Sequence, residues 1–169
     1  MISKKMQDAL NNQVNAEFYS AYLYMAMEAY FESANLGGFA KWMRVQMQEE
    51  LTHGVKIYDF IHERQGRVML EAIARPQGEW KSPLAVFEAA WKHEQKVTGL
   101  INELVELAAR EKDHATGVFL QWFVTEQVEE EKNASEIVAK LQALKDSAGS
   151  MYMLDKELGK RGSAKEGEE

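Results

Sequence analysis

Four glutamates stand where a helical bundle would ordinarily carry leucine. The chain reads as four long amphipathic helical periods, and the inward stripe of each contains one acid: Glu17, Glu50, Glu94 and Glu130. A buried carboxylate without a partner is costly, so it keeps its proton, finds a donor or binds a cation. One such residue is explained by a misread helix face. Four of them, one per helix and each near mid-helix, require a fold that brings four helix centres to one level, and a bundle does so.

The second of these acids has a companion. In Gln48-Glu49-Glu50-Leu51-Thr52-His53, Glu50 and His53 are three residues apart and share a helix face. By itself the step is common and reads as a surface pair. With three further inward glutamates it matches the two-metal carboxylate pattern, in which oxygen donors and few nitrogens suit iron, manganese or magnesium better than zinc or copper. Glu17, Glu50 and His53 can then hold one ion, while Glu94, Glu130 and a shared oxygen of Glu50 hold the other. A symmetric site would repeat Glu-x-x-His on the fourth helix. Instead the run Glu126-Gln127-Val128-Glu129-Glu130-Glu131 has no histidine, and Gln127 offers only a neutral amide. The second half is the weaker one, as suits an ion that passes through. Glu49, Glu126 and Glu129 are extra acids beside Glu130, either a third cation site or a solvated acidic face. Tyr24, two turns after Glu17, can hydrogen-bond a metal-bound carboxylate or give up an electron, unless it is simply core, and Trp122 is within two turns of Glu126 and Glu129. His62, His93 and His114 lack paired ligand spacing and are expected to be exposed.

The elements follow from caps and periods. Ser3 caps a first helix from about residue 4 to Asn35, with Leu10, Val14, Glu17, Ala21, Tyr24 and Phe31 inward. Gly37-Gly38 is expected to break it, and a second helix runs from Phe39 to Gln65, with Gly66 as its terminator. Residues 67 to 81 have no helical period. A link of about fifteen residues exceeds the roughly two to eight usual between bundle neighbours, and it can start the next helix parallel to the last. Ser82-Pro83 starts a third helix, from Leu84 to about Lys112. Asp113 caps a fourth, from His114 to about Leu144, in which either Glu126 or Gln127 faces inward. Gly149 marks a break before a short fifth helix, Met151 to Leu158. The fold class is all-α, a four-helix bundle with a long crossover between helices 2 and 3 and a short C-terminal helix. Residues 1–158 form one domain, and 159–169 are expected to be a disordered tail.

Composition excludes several alternatives. The 169 residues include no cysteine, which removes disulfides, Cys-ligated metal sites and thiol nucleophiles. The net charge of −7 argues against nucleic acid as a partner. No apolar run reaches the ~18 residues of a membrane span, and no signal-peptide core follows the N-terminus, so a cytoplasmic protein without membrane contact is expected.

Taken together, Asn15-Ala16-Glu17, Tyr22-Leu23-Tyr24, Gln48 to His53, Phe119-Leu120-Gln121-Trp122-Phe123 and Glu126 to Glu131 resemble the prokaryotic non-haem ferritins, and the resemblance covers nearly the whole chain. It implies a ferritin-like fold and a ferroxidase that oxidises Fe2+ with O2 and stores ferric mineral in a homo-oligomeric shell of 24 subunits. It implies iron at two to three sites per chain: Glu17, Glu50 and His53 on the first, Glu50 bridging, Glu94 and Glu130 on the second, and Glu49, Glu126 and Glu129 with Glu130 on the third. Gln127 matches the glutamine beside the site. Haem is not expected, because Leu51 stands where bacterioferritins carry their haem-ligating methionine and the second Glu-x-x-His is absent. The alternative is a di-iron or di-manganese oxidase or peroxidase that retains its metal and acts on a small molecule.

Overall fold

The computed structural model describes residues 1–144 and 147–162. These contain five helices: α1 (Lys4–Ser33), α2 (Gly37–Glu63), α3 (Pro83–Glu111), α4 (His114–Ala143) and α5 (Ala148–Leu158). Among the described residues there is no strand, and no helix is long and apolar enough to cross a membrane. The starts expected for α1, α3 and α4 coincide with real caps. Ser3, Ser82 and Asp113 each accept a backbone N–H from three residues on, at 3.1 Å in every case. Such a bond satisfies one of the donors that a helix N-terminus leaves free.

Four glycines, Gly37, Gly38, Gly66 and Gly149, behave differently from expectation. The break after α1 is made by Asn35, whose φ of 56° is left-handed. The Asn35 and Leu36 N–H groups then close on the Glu32 and Phe31 carbonyls at 3.1 and 3.0 Å. Gly37-Gly38 opens α2 instead of ending α1, and Gly38 is there for space, since a Cβ on it would lie 1.7 Å from the Asp155 carbonyl oxygen. At the end of α2 it is Gln65, with φ 58°, that turns left-handed. Gly66 follows it, packed so closely that a Cβ would sit 2.9 Å from Ile61 Cγ2 and 3.0 Å from Ile2 Cγ2. Gly149 lies within the first turn of α5, which starts at Ala148 behind a Ser147 cap.

Neighbouring contacts give the helix directions. Ile2 bonds to Arg64 and Phe31 stacks near Phe39, so α1 and α2 are antiparallel. Ser3 bonds to Glu111 while Phe31 packs on Phe87, so α1 and α3 are antiparallel too. Helices α2 and α3 therefore run parallel, as the long crossover requires. A ladder of amides on α1 holds that crossover. Gln7 Oε1 accepts from Arg67 N–H at 2.8 Å, and Asn11 bonds to both Arg67 and Met69 at 3.0 and 2.9 Å. One turn further, Asn15 Nδ2 donates to the Glu71 and Ala72 carbonyls at 3.3 Å. Backbone with no ladder of its own is thereby satisfied.

The apolar core is divided. One cluster, around Tyr24, Phe31, Phe39 and Phe87, fills one end of the bundle. A second, around Met6, Leu10, Ile57, Ile101 and Phe123, fills the other. Between them lies a polar layer supplied by all four long helices.

Of the expected tail, Gly159 to Gly162 are described and Arg161 is anchored on α2; residues 163–169 lie outside the described residues.

Candidate metal centre

The layer brings together Glu17 from α1, Glu50 and His53 from α2, Glu94 from α3, and Gln127 and Glu130 from α4. Each is no more than 5 % exposed. Of the two residues that could face inward near the start of the fourth-helix run, Gln127 is buried and Glu126 only half so. Glu17, Glu50 and His53 each offer a ligand atom, and these atoms lie within 4.8 Å of one another. His53 Nδ1 stands 3.6 Å from Glu50 Oε2. His53 also forms a second such group with Glu126 and Glu130. Among the described residues, Glu94, Glu49 and Glu129 belong to neither group.

Each acid has a specific neighbour. Gln13 Nε2 donates to Glu17 Oε1 at 2.8 Å, while Glu17 Oε2 is buried with no hydrogen-bond partner. Gln46 Nε2 donates to Glu130 Oε2 at 2.7 Å and reaches Glu50 Oε1 at 3.4 Å. Tyr24 donates its hydroxyl hydrogen to Glu94 Oε1. Gln127 turns its amide nitrogen to Glu94 Oε2 at 3.2 Å and to the Glu94 carbonyl at 3.3 Å. Gln127, named at the sequence level as the amide beside the site, thus meets Glu94 through its nitrogen and steadies that carboxylate by donating to it.

Crowding acids in a dry layer raises their pKa values. Burial pushes the Glu17 and Glu50 carboxyls well above the usual range, reinforced by Glu50 at the first and by Glu94 and Glu130 at the second. Burial also raises Glu94, against the donors Tyr24 and Gln127. Glu130 is pushed up to about 8 by burial and by the charges of Glu94 and Glu49. The Tyr24 phenol is raised well above its ordinary value by burial and by Glu94, so it stays a proton donor. A divalent cation in this layer would offset the crowded negative charge. The unpartnered Glu17 oxygen beside Glu50 and His53 fits such an ion, and the donor set of several carboxylates with one imidazole suits iron.

Around the layer, Trp122 sets its ring edge-on to His53 with centroids 5.3 Å apart, and Lys56 Nζ lies 4.3 Å from the Trp122 ring. His62 and His114 are exposed as expected. His93 is not. It is half-buried, its Nε2 lies 2.8 Å from Ser20 Oγ, and burial together with Lys96 lowers its pKa to about 4. Sequence reasoning missed Gln13 and Gln46, although a signal exists: each precedes an inward glutamate by one turn, in Gln13-x-x-x-Glu17 and Gln46-x-x-x-Glu50. It also missed Arg161, whose guanidinium donates to Glu49 Oε2 and, at 2.9 Å, to Gln46 Oε1.

Comparison with known proteins agrees with this geometry. A family model described as a ferritin-like domain matches residues 7–144. A "bacterial non-heme ferritin" of Bacteroides fragilis is 44 % identical over 161 residues, 95 % of this chain and 100 % of that protein. One from Staphylococcus haemolyticus is 41 % identical over 95 % of this chain and 97 % of its own. Among solved structures, an open-pore ferritin from the hyperthermophilic archaeon Archaeoglobus fulgidus superimposes with a TM-score of 0.95 at 56 % identity, over 96 % of this chain and 100 % of that one. An engineered closed form of the same ferritin gives 0.96 at 55 % identity, over 97 % and 100 %. With the fold, the carboxylate layer and these full-length similarities in agreement, the chain belongs to the ferritin family.

Proposed function

We propose that this chain, an iron-storage protein by family, takes up Fe2+ at the carboxylate layer, oxidises it with O2 and passes the ferric product into a shell of 24 like subunits in the cytoplasm. The observation that carries this reading is the set of four glutamates, one per long helix, buried in one layer with raised carboxyl pKa values and an unpartnered oxygen on Glu17. Glu17, Glu50 and His53 hold the first Fe2+. Glu50 bridges to the second, which Glu94 and Glu130 hold, and Glu49, Glu126 and Glu129 with Glu130 take a third.

The residues of this layer do specific work. Binding of Fe2+ displaces the protons that the raised pKa values keep on the carboxyls, and the negative layer then favours the higher charge of Fe3+ over Fe2+. Gln13, Gln46, Gln127 and Tyr24 donate to the carboxylates and keep each one aimed. Tyr24, in contact with Glu94, is also placed to supply an electron. Two Fe2+ ions together give two electrons to O2, which takes up two protons and leaves as H2O2, so the pair of ions is itself the reductant.

Aerobic addition of Fe2+ tests this. The expected result is rapid O2 consumption followed by retention of far more iron per chain than the two to three sites can hold, in a particle of shell size. Loading that stops at two or three irons, in metal that survives dialysis on a monomer or dimer, would replace it with a retained di-iron or di-manganese oxidase or peroxidase.

A further inference from the structure

The segment that follows α5 brings a cation to the edge of the layer. Asp155 Oδ1 accepts the Gly38 and Phe39 N–H groups at 2.7 and 3.1 Å, which seats α5 on the start of α2. Lys41 Nζ then holds the Gly159 carbonyl at 2.9 Å. Two residues later, Arg161 reaches along α2 to Glu49, Gln46 and the Trp42 carbonyl, and its guanidinium lies 4.3 Å from the centre of the Trp42 ring. Both members of the Arg161–Glu49 pair are largely enclosed, at 19 % and 20 % side-chain exposure.

Glu49 is the acid of α2 counted toward a third iron, yet among the described residues it shares no common point with Glu126 and Glu130. Its Oε2 accepts from the guanidinium instead. A guanidinium stays charged at any physiological pH, and its planar fork makes the bonds to Glu49 and Gln46 together, which an ammonium does less well. A divalent cation approaching Glu49 therefore meets a fixed positive charge.

We propose that Arg161 is a resident cation of the third acidic site, holding Glu49 until the segment from Gly159 to Gly162 gives way and a metal ion takes its place. This rests on the third-site reading given above. It makes the order of filling a property of the chain: the two-ion centre fills first, and the third ion binds only by displacing Arg161.

The test is anaerobic calorimetric titration of Fe2+ into the assembled full-length protein and its variants. R161Q removes the charge but keeps a donor for Gln46, and it should tighten the third Fe2+ by up to about fivefold, the range of a partly exposed ion pair. R161K keeps the charge and should stay closer to the parent than R161Q. D155A keeps Arg161 and every acid of the layer in the chain but unpins the segment that presents the guanidinium, and it should shift the third affinity in the same direction as R161Q. E49Q should lose the third Fe2+. If E49Q loses it while R161Q and D155A bind it no more tightly than the parent, Arg161 is no competitor and the proposal falls. If E49Q binds it unchanged, Glu49 is no part of a third site, and that reading falls together with the proposal.

Discussion

At the scale of single residues, the centre depends on amides as much as on acids. Gln46 is fully buried, and its two ends do opposite jobs: the nitrogen serves Glu130 and Glu50, while the oxygen receives Arg161. Gln46→Leu keeps the bulk but removes both. Outer partners of metal ligands are worth roughly 10–100-fold in affinity, so Fe2+ binding to the two-ion centre should weaken by about that factor in anaerobic titration. Binding unchanged in Gln46→Leu would make the amide a bystander. The four acids were legible in the sequence because each interrupts an apolar stripe. Gln46 was not, because glutamine is unremarked on a half-polar helix until its neighbour across the bundle, Glu130, is known. His93 was misjudged for the same reason, since its partner Ser20 lies on another helix.

At the scale of elements, α2 begins without a cap of its own. Leu36 occupies the cap position and makes no side-chain bond to the first turn. Asp155 supplies the cap from α5, with its carboxylate against the positive end of the helix dipole. Asp155→Ala should cost about 1 kcal/mol, as loss of an N-cap does. Hydrogen exchange should localise that loss to the Gly38 and Phe39 amides, and protection retained at both would show that α2 caps itself by other means. The expectation that Gly37-Gly38 breaks the first helix came from the two glycines alone. The pair instead admits α5, and a Cβ at Gly38 would collide with the Asp155 carbonyl. A glycine placed for another element's approach looks, in one dimension, the same as a glycine placed for a turn.

At the scale of the whole molecule, stability and metal binding are linked through the proton. In Glu130 the folded-state pKa of about 8 lies above the ordinary 4.5, so between these values the folded chain holds a proton that the unfolded chain has lost. Its contribution to stability is complete below the unfolded value and is lost as pH rises through about 8. Burial raises Glu17, Glu50 and Glu94 in the same sense. The metal-free protein should therefore lose on the order of a few kcal/mol between pH 5 and 9, read as a falling thermal midpoint. Divalent metal should restore it, and proton release on binding should appear as a buffer-dependent heat. A metal-free midpoint that rises over this range would contradict buried protonated acids.

Four long helices, a crossover too long for a hairpin, and an acid at mid-depth on each helix are all written in the order of residues. These follow from local physics: helical periodicity, capping chemistry and the cost of burying charge act on residues a few places apart. Packing in three dimensions sets which donor each acid receives, turns the Gln127 nitrogen to Glu94, and has Glu49 held by an arginine 112 residues away. Those choices depend on which helices are neighbours and how they are set against one another. Glu50 and His53 were adjacent on one helix from the start; the oxygen left unpartnered beside them, on Glu17, belongs to another.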